Sequence, residues 1–290
     1  MDQSDIDSRL NKFCRSIGRL NYLGFRLGIR ALLGKKRRDQ LLRDHRVYER
    51  FSRAIKFDRF GARIPVGNYS LVFSPDSSRF LVQDDISRGI LEEVYFGRVY
   101  DKLNHPHTGN GVVDAGAHVG LYSIKVSKLV GPKGRVLAFE PHPLNYAVLN
   151  SNIRLNSIGN IEAVCCALGE SDGYVKLYLA NLNSGGHSIM PRSIMPRTEE
   201  FLLVNVKRLD TAAKEYQVQR LDFIKIDVEG AELLLLKGAE KTLREFRPNL
   251  AIAAYHYPKE IDDLCNYLVE YDYKLYRLRQ SFLYAEPEKP

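Results

Sequence analysis

Val112-Val113-Asp114-Ala115-Gly116-Ala117-His118-Val119-Gly120 carries two β-branched residues into an acid and then into glycines. The amphipathic run Leu121 to Val130 follows directly. This pattern predicts a buried strand that turns sharply into a helix. A glycine-dense turn lets backbone approach a ligand closely, and Asp114 is placed to accept hydrogen bonds from a charged or polar group. Twenty residues beyond Gly120, a second strand-like run, Gly134-Arg135-Val136-Leu137-Ala138-Phe139, ends in Glu140. At that separation a nucleotide-binding fold sets a carboxylate on ribose hydroxyls.

Outward from this pair, strands and helices alternate. Strands are expected at 111–114, 134–139, 161–166, 221–227 and 249–254, and helices at 119–130, 143–156, 230–246 and 258–271. Such alternation predicts an α/β fold with a parallel, doubly wound sheet. Two further runs, 174–180 and 201–206, are expected to pair as extra strands around a long loop. The chain closes in an apparent hairpin, 273–278 and 282–285. A terminal antiparallel hairpin suits the methyltransferase version of this Rossmann-like sheet better than the dehydrogenase version. Before the alternation lie short strand-like runs at 62–66, 70–73 and 79–82, a helix at 88–103 and a polar loop at 104–111. Three regions result: a basic helical extension (1–60), a cap or lead-in segment (61–110) and the main domain (111–286).

The net charge of +8 is unevenly spread. Residues 1–60 hold 16 Lys/Arg against 7 Asp/Glu, and the rest hold 27 against 28. The basic character therefore belongs to the extension, so the bulk charge does not argue for nucleic acid at the main domain. Residues 1–57 read as two helical pieces joined by Gly34-Lys35-Lys36-Arg37-Arg38, with Arg15, Arg19, Arg26 and Arg30 on one face. That face is either solvated or meets an anionic partner or membrane surface. Cys14, Cys165, Cys166 and Cys265 form no metal-ligand spacing and read as reduced thiols. The acidic start lacks the regions of a signal peptide, and no apolar run is long enough to span a bilayer, so a cytoplasmic location is expected.

Two cofactor types compete for the glycine turn. A dinucleotide fingerprint uses three glycines to cradle pyrophosphate. Here only Gly116 and Gly120 are present, and the acid lies upstream at the strand end. A carboxylate there suits a cationic group better than a diphosphate, which favours S-adenosylmethionine. A third strand, Phe223-Ile224-Lys225-Ile226, also runs into acids, Asp227-Val228-Glu229-Gly230-Ala231-Glu232. Because open α/β sheets bind ligands beyond the carboxyl ends of their strands, Asp114, Glu140 and Asp227 should meet in one crevice. Glu229 and Glu232 also read as helix N-terminal carboxylates complementing the dipole.

With these segments the chain resembles the FkbM family of S-adenosylmethionine-dependent methyltransferases, over roughly residues 88–278. The resemblance rests on Asp114 to Gly120, on Phe139-Glu140-Pro141-His142-Pro143, on Ala167-Leu168-Gly169 with Gly173, and on Ile224 to Glu232. It implies that Asp114, Gly116 and Gly120 form the turn beneath the cofactor's methionine part, with His118 in the same turn. It also implies that Glu140 binds the ribose, that Ala167 and Leu168 sit near adenine, and that Asp227 lies close to the transferred methyl. Family members resemble O-methyltransferases acting on hydroxyls of sugars, polyketides and other natural products.

An Asn/Asp-Pro-Pro-Tyr/Phe turn, typical of enzymes that methylate nucleobase amines, is absent at Asp227-Val228-Glu229-Gly230. The expected acceptor is thus a hydroxyl of a sugar, glycan or other small molecule. Asp227, Glu229 and His256 are the candidate catalytic residues, since a general base must receive the hydroxyl proton. His187 reads as a structural histidine. A divalent metal on Asp227 and Glu229 is conceivable, but no third ligand is visible, so no metal is assigned. The alternatives are an RNA methyltransferase using the basic extension, and a non-catalytic binding module. The tandem Ser188-Ile189-Met190-Pro191-Arg192 and Ser193-Ile194-Met195-Pro196-Arg197 reads as a small duplication in a tolerant loop, with soft methionines near a substrate mouth as the other reading.

Overall fold

Every residue of strand β5 (Gly111–Ala115) is buried, as is every residue of β11 (Phe223–Ile226) beside it. Strands buried on both faces are the mark of a parallel sheet covered by helices on each side. The structure, a computed structural model, describes residues 69–180, 184–191, 197–278 and 281–288, with the strands Lys56–Asp58 and Gly61–Val66.

The central sheet has seven strands in the order β13-β14-β12-β11-β5-β6-β7. Its members beyond β5 and β11 are β6 (Arg135–Phe139), β7 (Ile161–Val164), β12 (Asn249–Ala253), β13 (Tyr273–Leu278) and β14 (Phe282–Pro287). Strands β7, β6, β5, β11 and β12 are parallel. The terminal hairpin adds β14 antiparallel to both β12 and β13, as the sequence predicts.

Period-two alternation divides the sheet between two cores. Val113, Ala115, Leu137, Ile224, Ile226 and Leu250 face α4 (Leu209–Glu215), α5 (Glu232–Lys237), α6 (Glu240–Phe246) and α7 (Glu260–Val269). Val112, Val136, Phe223, Ala251 and Tyr284 face α2 (Leu121–Val130), α3 (Pro143–Leu155) and the cap. Each fully buried leucine, such as Leu235 or Leu243, contributes roughly 1.5–3 kcal/mol by leaving water.

The cap is an antiparallel sheet in the order β1-β2-β3-β4, made of β1 (Lys56–Asp58), β2 (Gly61–Val66), β3 (Tyr69–Phe73) and β4 (Arg79–Val82). Asn152 on α3 fixes it to the main domain: its side chain accepts from Leu81 N and donates to Leu81 O and Val119 O. A second small sheet joins β8 (Ala167–Leu168), β10 (Arg197–Lys207) and β9 (Gly173–Ala180); β9 and β10 are the extra strands expected around the long loop, and β8 was not expected.

Three elements differ from the sequence reading. The helix expected at 88–103 starts earlier, as α1 (Asp85–Glu92), because the Asp84 carboxylate accepts from Ser87 N. It continues as a π-helical turn, Glu93–Gly97, and stops where Arg98 turns left-handed (φ 50°). The helix expected at 230–246 is two helices, α5 and α6. The break at Gly238 is forced by tertiary contact: a Cβ there would lie 1.9 Å from Gly169 O, and Gly238 O accepts from Asp210 N. Helix α4, at the start of that contact, was not expected.

The expected basic helices of residues 1–55 lie outside the described residues, as does most of the second pentapeptide copy. At the end of that segment, Lys56 and Phe57 belong to β1 rather than to a helix. No helix among the described residues is long and apolar enough to cross a membrane.

Candidate active site

Strands β6, β5 and β11 are neighbours and parallel, so the turns that follow them open at one edge of the sheet. The cleft they form encloses about 1280 Å³ including its open mouth.

The turn after β5 is pressed directly against the turn after β11. Gly116 has φ 75°, and a Cβ on it would lie 1.9 Å from Asp227 O. Gly116 N and Ala117 N donate to Phe139 O, which ties the same turn to β6. His118, also left-handed at φ 52°, turns its imidazole into the cleft wall.

Asp114 is fully buried beneath this turn and does not line the cleft. Its neighbour in register is Lys225 on β11, whose ammonium lies 3.0 Å from Asp114 Oδ1. Ser123 Oγ donates to the other Asp114 oxygen. Lys225 also donates to Ala115 O and Gly116 O. The charged partner expected of Asp114 in a ligand is therefore supplied by the protein itself, and Asp114 shapes the turn from below. Gly120 also stands behind the wall: a Cβ there would meet the Leu149 side chain.

Glu140, at the end of β6, lines the cleft although it is only 5% exposed. Oε2 accepts from His118 N at 2.8 Å, and Oε1 accepts from His142 N at 2.9 Å and from Asn145 Nδ2. Burial pushes its pKa up to about 7, against the pull of those hydrogen bonds. Burial also pushes the His118 imidazole down to about 4, so that it is neutral at physiological pH. Ala167 and Leu168 of β8 form an apolar wall nearby.

The side of the cleft is closed by Ser184 to Ser188, held from three directions. Asn145 Nδ2 donates to Ser184 O, Ser184 N donates to Asp84 Oδ2, and Ser184 Oγ lies 2.8 Å from His118 Nε2. His187, which the sequence reads as structural, lines the cleft and stacks on His142 with centroids 4.2 Å apart. Met190 packs near the Gly230 turn, within 3.9 Å of the position a Gly230 Cβ would take.

The opposite side is acidic. Glu93, Asp227 and Glu229 line it with Tyr100 and Tyr255. Glu229 is left-handed (φ 58°), a costly backbone for a residue with a Cβ and one that tends to occur at functional turns. Tyr100 donates its hydroxyl to Asp227 Oδ2 at 2.6 Å. Asp227 Oδ1, also buried, has no hydrogen-bond partner. Asp227 foremost, then burial and Glu229, raise the Tyr255 hydroxyl far above its ordinary value. Burial and then Asp227 raise the Glu93 carboxyl.

His256 stands behind Asp227 and is absent from the cleft wall. Burial alone would lower its pKa, but the facing carboxylates of Glu232, Glu260 and Asp227 outweigh it and lift the imidazole to about 11. It is thus an imidazolium, which corrects its expected place among general bases: it has no lone pair to offer an incoming hydroxyl.

The family model for the methyltransferase FkbM domain matches residues 114–275, more than half of the chain. The chain belongs to the FkbM methyltransferase family. It is 31% identical to methyltransferase sdnD of Sordaria araneosa, over 57% of this chain and 74% of that protein. It is 27% identical to the 31-O-demethyl-FK506 methyltransferase FkbM of Streptomyces tacrolimicus, over 52% of this chain and 68% of that one. A crystal structure of a methyltransferase FkbM from Methylobacillus flagellatus KT is 26% identical, with a TM-score of 0.46. That match covers 62% of this chain and 44% of the other, less than half its length.

This FkbM-type chain is an S-adenosylmethionine-dependent methyltransferase, as the sequence reading expects. Of the expected site residues, Gly116, His118, Glu140, Ala167, Leu168, Asp227 and Glu229 line one cleft, while Asp114, Gly120 and His256 lie behind its wall. Sequence reasoning missed Lys225, Tyr100, Tyr255 and Glu93. Lys225 carried the clearest signal, as a lone charge in the middle of a strand otherwise made of Phe223, Ile224 and Ile226.

Proposed function

We propose that this FkbM-type methyltransferase transfers a methyl group to a hydroxyl of a small molecule such as a sugar, a glycan or a polyketide-like natural product. The observation that carries this reading is Asp227 Oδ1, a buried carboxylate oxygen that accepts no hydrogen bond, in a wall that Asp227 shares with Glu93 and Glu229. A site made of acceptors calls for a donor, and a hydroxyl supplies one. The name of the Streptomyces relative, which specifies a 31-O-demethyl substrate, gives support of the same kind.

The donor set facing the cleft fits S-adenosylmethionine. Glu140 would hold the ribose hydroxyls, Ala167 and Leu168 would flank the adenine, and the Gly116-Ala117-His118 backbone would face the methionine part. S-adenosylmethionine supplies an electrophilic methyl group on a sulfonium centre. Asp227 aligns the acceptor hydroxyl and takes its proton, with Tyr100 holding the other carboxylate oxygen in place. Alignment supplies most of the acceleration in such transfers. A positioned base adds about 10²–10⁴-fold.

The test is methyl transfer by the full chain to a panel of hydroxyl compounds, amines and RNA, with the methyl located by mass spectrometry. Asp227→Asn should lose about 10²–10⁴-fold in rate and keep its affinity for S-adenosylmethionine. A methyl found on nitrogen or RNA, or an Asp227→Asn variant as active as the parent, overturns the reading.

A further inference from the structure

Behind the acidic wall, three carboxylates face one imidazole. His256 is 1% exposed, and its two nitrogens face different groups. Nδ1 lies 3.3 Å from Glu232 Oε1 and 3.5 Å from Glu260 Oε2, while Nε2 lies 3.5 Å from Asp227 Oδ1. Neither nitrogen makes a hydrogen bond, and the buried atoms Asp227 Oδ1, Glu232 Oε2 and Glu260 Oε1 make none either. Among the described residues, Asp227, Glu232 and Glu260 form no ion pair with Lys or Arg. Burial, and then the neighbouring Glu232, raise the Glu260 carboxyl to about 7, as befits acids crowded around one imidazole.

We propose that Asp227, Glu229 and His256 bind a divalent cation at the floor of the cleft, with the ion taking the place of the Nε2 proton. Their donor atoms all lie within 4.8 Å of one another. Ligands across an ion with bonds of about 2.1 Å lie about 4.2 Å apart, so the set closes with side-chain adjustments below an ångström. Sequence reading found the two carboxylates and lacked a third ligand; the fold supplies it from the loop after β12. Glu232 and Glu260 then hold Nδ1 from behind, which is the arrangement that orients metal-binding histidines. Two carboxylates and one imidazole suit Mn²⁺, with Mg²⁺ the harder alternative.

This inference goes beyond the acceptor reading and is tested without cofactor or acceptor. The full chain, stripped with EDTA, is titrated with Mn²⁺ alone, and the free-ion signal is followed by electron paramagnetic resonance. One equivalent should bind and raise the melting temperature. Glu260→Gln, which alters the support behind the imidazole and keeps one oxygen to accept from His256 N, should weaken binding by about 10–100-fold. Asp227→Asn and Glu229→Gln should weaken it at least as much, whereas Asp262→Asn, exposed on α7, should leave it unchanged. His256→Ala removes the centre of a buried charge cluster and can fail to fold. The half-buried Glu229 and Asp227 variants therefore carry the test, with their folding checked by circular dichroism. No ion bound at millimolar Mn²⁺, or binding indifferent to both variants in folded protein, overturns the proposal.

Discussion

Replacing Glu140 with glutamine separates two effects that the carboxylate combines. In the free protein burial raises its pKa to about 7, from an ordinary 4.5. A carboxyl with a raised folded pKa stabilises the fold fully below pH 4.5, and that contribution is lost as pH rises through 7. A shift of this size corresponds to about 3 kcal/mol, as an order of magnitude. Cofactor affinity should move in the opposite direction, because ribose hydroxyls donate best to the ionised form. With a pKa of about 7, roughly a tenth of Glu140 is ionised at pH 6 and nine tenths at pH 8, giving about a tenfold gain in affinity across that range. Glutamine has one acceptor oxygen where Glu140 uses two, for His118 N and His142 N. One backbone N–H is then left unpaired, at a cost of about 1–3 kcal/mol in stability. Isothermal titration with S-adenosylmethionine at pH 6, 7 and 8 measures the affinities, and urea unfolding without cofactor measures the stabilities. An affinity that is flat with pH in the parent, or a Glu140→Gln variant that keeps the parent's slope, refutes the argument.

Other substitutions probe the frame of the site. Gly116→Ala places a Cβ against Asp227 O in a left-handed backbone, and should cost about 2–5 kcal/mol in chemical denaturation through strain and overpacking. Lys225→Met leaves Asp114 buried with Ser123 as its one side-chain partner. It should destabilise by about 3–5 kcal/mol, most of which returns in the Asp114→Asn, Lys225→Met double variant. Asp84→Ala removes both the cap of α1 and the anchor of Ser184 N. The expected loss is about 1–2 kcal/mol in melting experiments, with faster proteolysis near residue 184.

The strand-turn-helix units were legible because each joins a short, mostly apolar run to a local punctuation mark: the runs of β5, β6 and β11, then glycine or acid at the end. The meeting of Glu140 and Asp227 in one crevice followed from parallel strand order alone. What the sequence left hidden was set by contacts between distant segments. Asp114 reads as a ligand-facing acid until Lys225 is seen beside it in register, and alternation along one strand says nothing about its neighbour. His256 reads as a base until Glu232 and Glu260, which reach it from α5 and α7, turn it into an imidazolium. The split between α5 and α6 depends on Gly169, some seventy residues upstream of Gly238. The π-helical turn that brings Glu93 to the cleft has no period of its own to detect.

The contact between Gly116 and the Asp227 carbonyl leaves no space for a side chain, so the loops on the donor side and the acidic side share one hinge point. Neither can shift by an ångström without displacing the other. Transplanting acceptor specificity between relatives therefore succeeds or fails as a matter of joinery. A graft confined to the cap or to Ser184–Ser188 leaves the joint whole, whereas one that exchanges the turn after β11 must bring the matching turn after β5 with it.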